Sequence, residues 1–131
     1  MTLPTRTYTI TRDDLVRYAA ASGDQNPIHQ DEQVARGVGL PGVIAHGMYT
    51  MALAARAVAQ WFPGSEVVSL GCKFTSPVVV PADGGVEVEV AGEAVASGDA
   101  DGLTTVKLVV TCAGQKVLGM PKAVVRGRTD D

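Results

Sequence analysis

Residues 46–62 read HGMYTMALAARAVAQWF, and this stretch limits the fold more than any other in the chain. Ala, Leu and Met favour helix, and after Gly47 only Thr50, Arg56 and Gln60 are plainly polar. A helix apolar nearly all round has to be buried, which assigns Met48, Tyr49, Met51, Trp61 and Phe62 to a core. A membrane span needs about 20 apolar residues. This segment is shorter and carries Arg56, so its cover is expected to be protein. In a chain of 131 residues, whatever wraps that helix is the fold.

The wrapping is legible downstream. Pro63-Gly64 ends the helix, and the apolar period then switches to two. Val68, Leu70, Cys72 and Phe74 alternate with polar or small residues, as one face of a half-buried strand requires. Val86, Val88 and Val90 repeat the pattern, as do Val106, Leu108, Val110 and Cys112. Lys116 to Arg126 is expected to be a final strand bent near Pro121, joined to its predecessor by a turn at Ala113-Gly114-Gln115. Upstream, a short strand near Tyr8 to Ile10 precedes Thr11-Arg-Asp-Asp14, a helix-start signature, and that helix should end near Gly23. Asp31 to Arg36 supplies one more helical turn. Helices first and strands afterwards make an α+β architecture, one antiparallel sheet over a long central helix, with residues 1–131 as a single domain and 128–131 expected to fray.

Charge excludes one class of function. The eleven Lys and Arg residues are scattered, no basic run is present and the net charge is −3, which argues against nucleic acid as a partner. The opening residues lack a charged start followed by an apolar stretch, so a cytoplasmic location is expected, with no membrane role. Cys72 and Cys112 form no C-x-x-C pair and are read as buried free thiols.

Chemistry concentrates between the two helices. In Ser22-Gly-Asp-Gln-Asn-Pro-Ile-His29 the residue before proline is forced out of the helical region, so Asp24 and His29 sit on an ordered turn. Proline fixes one backbone angle, and an Asn side chain bonds readily to local backbone. The turn therefore holds a carboxylate and an imidazole at a constant separation.

That run, continued by five residues and then Ala35, and joined by Ile44-Ala-His-Gly-Met48 at the start of the long helix, resembles the hydratase motif of the MaoC-like, (R)-specific enoyl-CoA hydratases. Lys73-Phe-Thr-Ser-Pro-Val-Val-Val-Pro-Ala-Asp83 looks like the strand and turn that follow in the family, and the likeness is greatest to the catalytic B-type subunit of (3R)-hydroxyacyl-ACP dehydratases. The resemblance implies a hot-dog fold and a dehydratase or hydratase interconverting (3R)-hydroxyacyl and trans-2-enoyl thioesters. It implies Asp24 and His29 as the catalytic pair, Gly47 as oxyanion donor, and Asn26 and His46 as residues shaping the site. No cofactor is implied beyond the phosphopantetheine of acyl carrier protein or coenzyme A that carries the substrate. The family pairs two hot-dog units, so a homodimer or a heterodimer with a non-catalytic subunit is expected. Ala55 departs from members that have a serine there.

The chemistry supports these residue types independently. Dehydration removes an α-proton while the hydroxyl leaves, which asks for a base and an acid about a water's width apart. Histidine titrates near neutral pH, and a shielded carboxylate beside it perturbs both groups. Which of Asp24 and His29 is acid and which is base stays open. A helix N-terminus favours negative charge, which makes the Gly47 N–H suited to a developing thioester oxyanion. Two other matches fail. Gly37 to Gly42 fits G-x-G-x-x-G but follows no strand and contains Pro41, and a calcium-loop reading from Asp24 meets His29 where glycine is required, so no metal is assigned. The remaining alternatives are a hot-dog thioesterase and a non-catalytic subunit of a dehydratase heterodimer.

Overall fold

The computed structural model describes residues 1–96 and 102–127, and the fraying expected at 128–131 lies outside them. Strand β1 (Thr2–Thr11) leads into helix α1 (Arg12–Ser22), and helix α2 (Glu32–Gly37) precedes the long helix α3 (Gly47–Trp61). Strands β2 (Glu66–Phe74), β3 (Gly85–Ala96), β4 (Leu103–Cys112), β5 (Gln115–Lys116) and β6 (Leu118–Arg126) follow. All pairings are antiparallel, in the order β1-β3-β4-β6-β2, with β5 attached to β4.

The sheet closes over α3 because the alternating apolar residues of its strands all point to one side. Ile10, Val88, Val90, Val106, Val110, Ala123 and Val125 are buried from the sheet, against Leu53, Ala54, Ala57 and Val58 from the helix. Each buried Val or Leu contributes about 1.5–3 kcal/mol relative to exposure. Small residues bring the layers close. A Cβ on Gly92 would lie 2.8 Å from the Trp61 ring, whose Nε1–H donates to the Pro4 carbonyl at 2.8 Å.

Both ends of α1 form as their chemistry dictates. The Thr11 hydroxyl accepts from the Asp14 N–H and the Asp14 carboxylate accepts from the Thr11 N–H, a complete capping box, while Gly23 closes the helix at φ +81°. Arg12 then anchors the site region. Its Nε donates to the Val80 carbonyl at 2.7 Å, and its guanidinium pairs with Glu32 at 3.2 Å.

Several expectations require correction. β1 is ten residues long, since its pairing with β3 extends to Thr2. Helix α3 is not buried all round: its core face is Thr50, Leu53, Ala54, Ala57 and Val58, whereas Met48 is 57% exposed and Tyr49, Met51, Trp61 and Phe62 are only partly covered. β2 alternates as expected but is an edge strand whose apolar side is only half covered, with Val68 and Phe74 exposed. The last strand is two pieces. It breaks at Val117 and bends at Met120, where φ is +46° and an extra residue stands opposite β2, one position before Pro121. Cys112 is buried but Cys72 only partly so, and both thiols are free.

Candidate active site

The turn between α1 and α2 is built by its own side chains. The Asp24 N–H donates to the Ser22 hydroxyl, the Asn26 N–H to Asp24 Oδ1, and the Ile28 N–H to Asn26 Oδ1. Pro27 opens a single 3₁₀ turn that ends at His29. Each polar residue of the run thus fixes the next, which explains the spacing of Asp24 and His29.

The segment Val43–Ala45 places this turn against the start of α3. It pairs with Val78–Val80 through Ala45 N–H to Val78 O and Val80 N–H to Val43 O, both at 2.9 Å. Its other side receives the Asp24–His29 turn, with the Ile44 N–H donating to Ile28 O at 3.2 Å. His29 Nδ1 meets the Ile44 carbonyl at 2.7 Å. A carbonyl only accepts, so Nδ1 carries a proton, and in the neutral ring Nε2 is the nitrogen that presents a lone pair.

His46 is the cap residue of α3, and its ring stacks on His29 with centroids 3.8 Å apart and an interplanar angle of 23°. Its Nε2 donates to the Asp24 backbone carbonyl at 3.1 Å. Burial pushes the His46 pKa down, its hydrogen bond to the Asp24 backbone carbonyl opposes this, and the neighbouring His29 adds to the depression. His46 is therefore a neutral wall behind His29 that also grips the backbone of Asp24. Its Nδ1 is buried without a partner, an acceptor left open at the site.

Donor atoms of Asp24, His29 and His46 all lie within 4.8 Å of one another. Two histidines and a carboxylate resemble a metal-binding trio. The stacking disfavours it: nearly parallel rings hold their lone pairs in separate planes that do not converge on one ion.

These residues line one end of a cavity of about 630 Å³, whose walls include Tyr18, Ser22, Gly47, Phe74, Thr75 and Leu118. Gly47 is the first residue of α3, where the helix leaves its leading N–H groups unused. A Cβ there would lie 3.0 to 3.2 Å from the Phe74 ring, so glycine keeps open the narrow approach to that N–H. Asp24, His29, His46 and Gly47 are brought together. Asn26 is not: it is exposed, stands outside the cavity wall, and acts on the site only by capping the turn.

Sequence reasoning did not single out Tyr18 or the Ile44 carbonyl. Tyr18 stacks on Tyr49 at 5.0 Å and tilts against His46 at 4.7 Å, which closes the back of the site. Its available signal was position, since Tyr18 and Ser22 are one helical turn apart on the face that leads into Asp24.

A sheet wrapped over a central helix, with an imidazole and a carboxylate beside that helix's N-terminus, defines a hot-dog domain. The MaoC like domain matches residues 2–112, and the chain belongs to that family. Over 85 residues it is 40% identical to 3-hydroxyacyl-thioester dehydratase X of Mycobacterium tuberculosis, covering 65% of this chain and 30% of that protein. It is 35% identical over 74 residues to the mitochondrial 3-hydroxyacyl-[acyl-carrier-protein] dehydratase of Arabidopsis thaliana, covering 56% and 45% respectively. A solved MaoC-like dehydratase superposes with a TM-score of 0.92 at 35% identity, over 98% of this chain and 40% of that one. The chain spans about a third to a half of the length of these curated relatives.

Proposed function

We propose that this chain is a hydro-lyase interconverting (3R)-hydroxyacyl and trans-2-enoyl thioesters, with Asp24 and His29 as its catalytic pair. The observation that carries this reading is the His29 tautomer. The Ile44 carbonyl holds the Nδ1 proton, which leaves Nε2 of the neutral ring as the base, and a ring nitrogen of His29 lies within 4.8 Å of an Asp24 carboxylate oxygen. In dehydration, His29 Nε2 takes the α-proton, and electrons move toward the thioester oxygen, where the Gly47 N–H and the α3 dipole stabilise them. The C–O bond then breaks, the hydroxyl leaving as water with a proton from the Asp24 carboxyl. His29 then passes its proton through solvent to the Asp24 carboxylate, which restores both groups to their starting state. Hydration is the reverse, with Asp24 as base toward water.

The acyl chain fits the apolar length of the cavity beyond the dyad, past Phe74 toward Val117 and Leu118. A second hot-dog subunit belongs on the edge of β2, where Val67, Val68 and Phe74 are exposed beside Met48 of α3. Free thiols and the enzyme class suit the cytoplasm, and among the described residues no helix is long and apolar enough to cross a membrane. The test is turnover of a trans-2-enoyl thioester, followed by loss of enoyl absorbance, in the wild type and Asp24→Asn. The variant should lose activity by about 10²–10⁴, and equal rates in the two proteins would refute the assignment.

A further inference from the structure

All four lysines of the chain, Lys73, Lys107, Lys116 and Lys122, stand exposed on one continuous part of the outer sheet face, although the net charge is −3. They lie on β2, β4, β5 and β6, which are neighbours. Lys107 and Lys122 are direct cross-strand partners, a like-charge pairing that works against the sheet. In register, Lys73 faces Gly119 and Lys116 faces Thr111, so neither meets an acidic side chain there. Only Lys107 has an acidic cross-strand neighbour, Glu93 on β3. Among the described residues every ion pair is made by an arginine, including Arg126 with Glu66 on this same side. Apart from the Lys107–Glu93 neighbours the register gives these lysines no acidic partner, and the sheet carries a repulsive pair among them.

Between them is an apolar recess of about 410 Å³, walled by Val109, Lys116, Leu118, Met120 and Thr75. Met120 is 75% exposed at its rim. Thr75 and Leu118 also line the catalytic cavity, so the recess and the cavity abut through the same two residues. Edge pairing of β2 with a second subunit leaves this face open, because it uses the strand's free backbone groups and not its outward side chains.

We infer that this face docks an acidic carrier protein, whose negatively charged helix lies along the lysines and sets an apolar side chain into the recess while its phosphopantetheine arm reaches the dyad past Thr75. The inference rests on the thioester reading and deepens it by choosing a protein carrier over coenzyme A. Free coenzyme A offers phosphates but no helix to span four lysines on four strands, nor an apolar group for the recess.

Lys122→Glu is the informative variant, since it removes a docking charge and places a carboxylate opposite Lys107, so its Tm should equal or exceed that of the wild type. Binding of a fluorescently labelled acidic holo-acyl carrier protein is measured by anisotropy, alongside turnover of an enoyl-pantetheine and an enoyl-CoA thioester. The expected result is wild-type binding that weakens with salt and falls about tenfold or more in Lys122→Glu, with pantetheine and coenzyme A turnover unchanged. Absence of wild-type binding, equal binding by both proteins, or a loss on coenzyme A as large as that on the carrier protein would overturn the docking face. Failure of the wild type to turn over any of the thioesters would overturn the thioester reading itself, and is read separately from binding.

Discussion

Gly47→Ala separates catalysis from folding at this site. The new methyl would sit 3.0, 3.1 and 3.2 Å from three carbons of the Phe74 ring, closer than ordinary van der Waals contact. Phe74 is 56% exposed, so its ring can swing by a few tenths of an ångström. Alanine also outranks glycine as a helix former by up to about 1 kcal/mol. The two effects oppose, and stability should change by less than about 1 kcal/mol, or roughly 4 °C in Tm for a domain of this size. Activity should behave differently. The methyl occupies the approach to the first N–H of α3, and loss of one oxyanion donor lowers kcat by about 10²–10³, equivalent to about 2.7–4 kcal/mol of transition-state stabilisation. Thermal melting and enoyl-thioester kinetics on the same sample provide the comparison. Unchanged kcat/KM in a well-folded Gly47→Ala protein would refute the oxyanion role.

Other consequences follow from particular contacts. His29→Asn keeps an amide donor near the Nδ1 position for the Ile44 carbonyl but removes Nε2, so melting should change little while kcat falls by about 10²–10⁴. A wild-type rate in that variant would exclude His29 as the base. Because burial lowers the His46 pKa below the ordinary histidine value of 6.5, the unfolded chain takes up that proton first as pH falls. The contribution of His46 to stability is therefore full above pH 6.5 and declines below it until the folded pKa is passed. His46→Gln, which keeps a donor for the Asp24 carbonyl, should flatten that part of the denaturation profile. Burial raises the thiol pKa of Cys112, so the native protein should leave it unlabelled by a thiol reagent at neutral pH, with labelling appearing on denaturation. Thr11→Ala removes one half of the capping box and should cost about 1 kcal/mol of stability, measured by urea titration.

Local chemistry made most of the site readable. Thr11 with Asp14, Gly23, and the Asn26-Pro27 turn act on neighbouring backbone, so their structural effect is present in a few consecutive residues. The buried α3 and the period-two strands similarly announced a sheet over a helix. What escaped detection depends on pairing between distant segments. β1 begins at Thr2 because β3 is there to bond it, and the last strand divides at Val117, whose N–H bonds Val110 O and whose carbonyl accepts from Thr75. The outer face of α3 and the apolar side of β2 were read as buried because their composition is apolar, although burial within one chain is set by what stands opposite. Tyr18 and the Ile44 carbonyl escaped for the same reason, since one acts through a ring contact and the other through its backbone.

The fate of the substrate tests the hydro-lyase assignment most directly. When the protein is incubated with a trans-2-enoyl thioester and the products are resolved by chiral mass spectrometry, with free thiol measured in the same sample, the (3R)-hydroxyacyl thioester should accumulate with its thioester intact. Thiol release from a substrate whose double bond is untouched would make the chain a thioesterase and contradict the central claim.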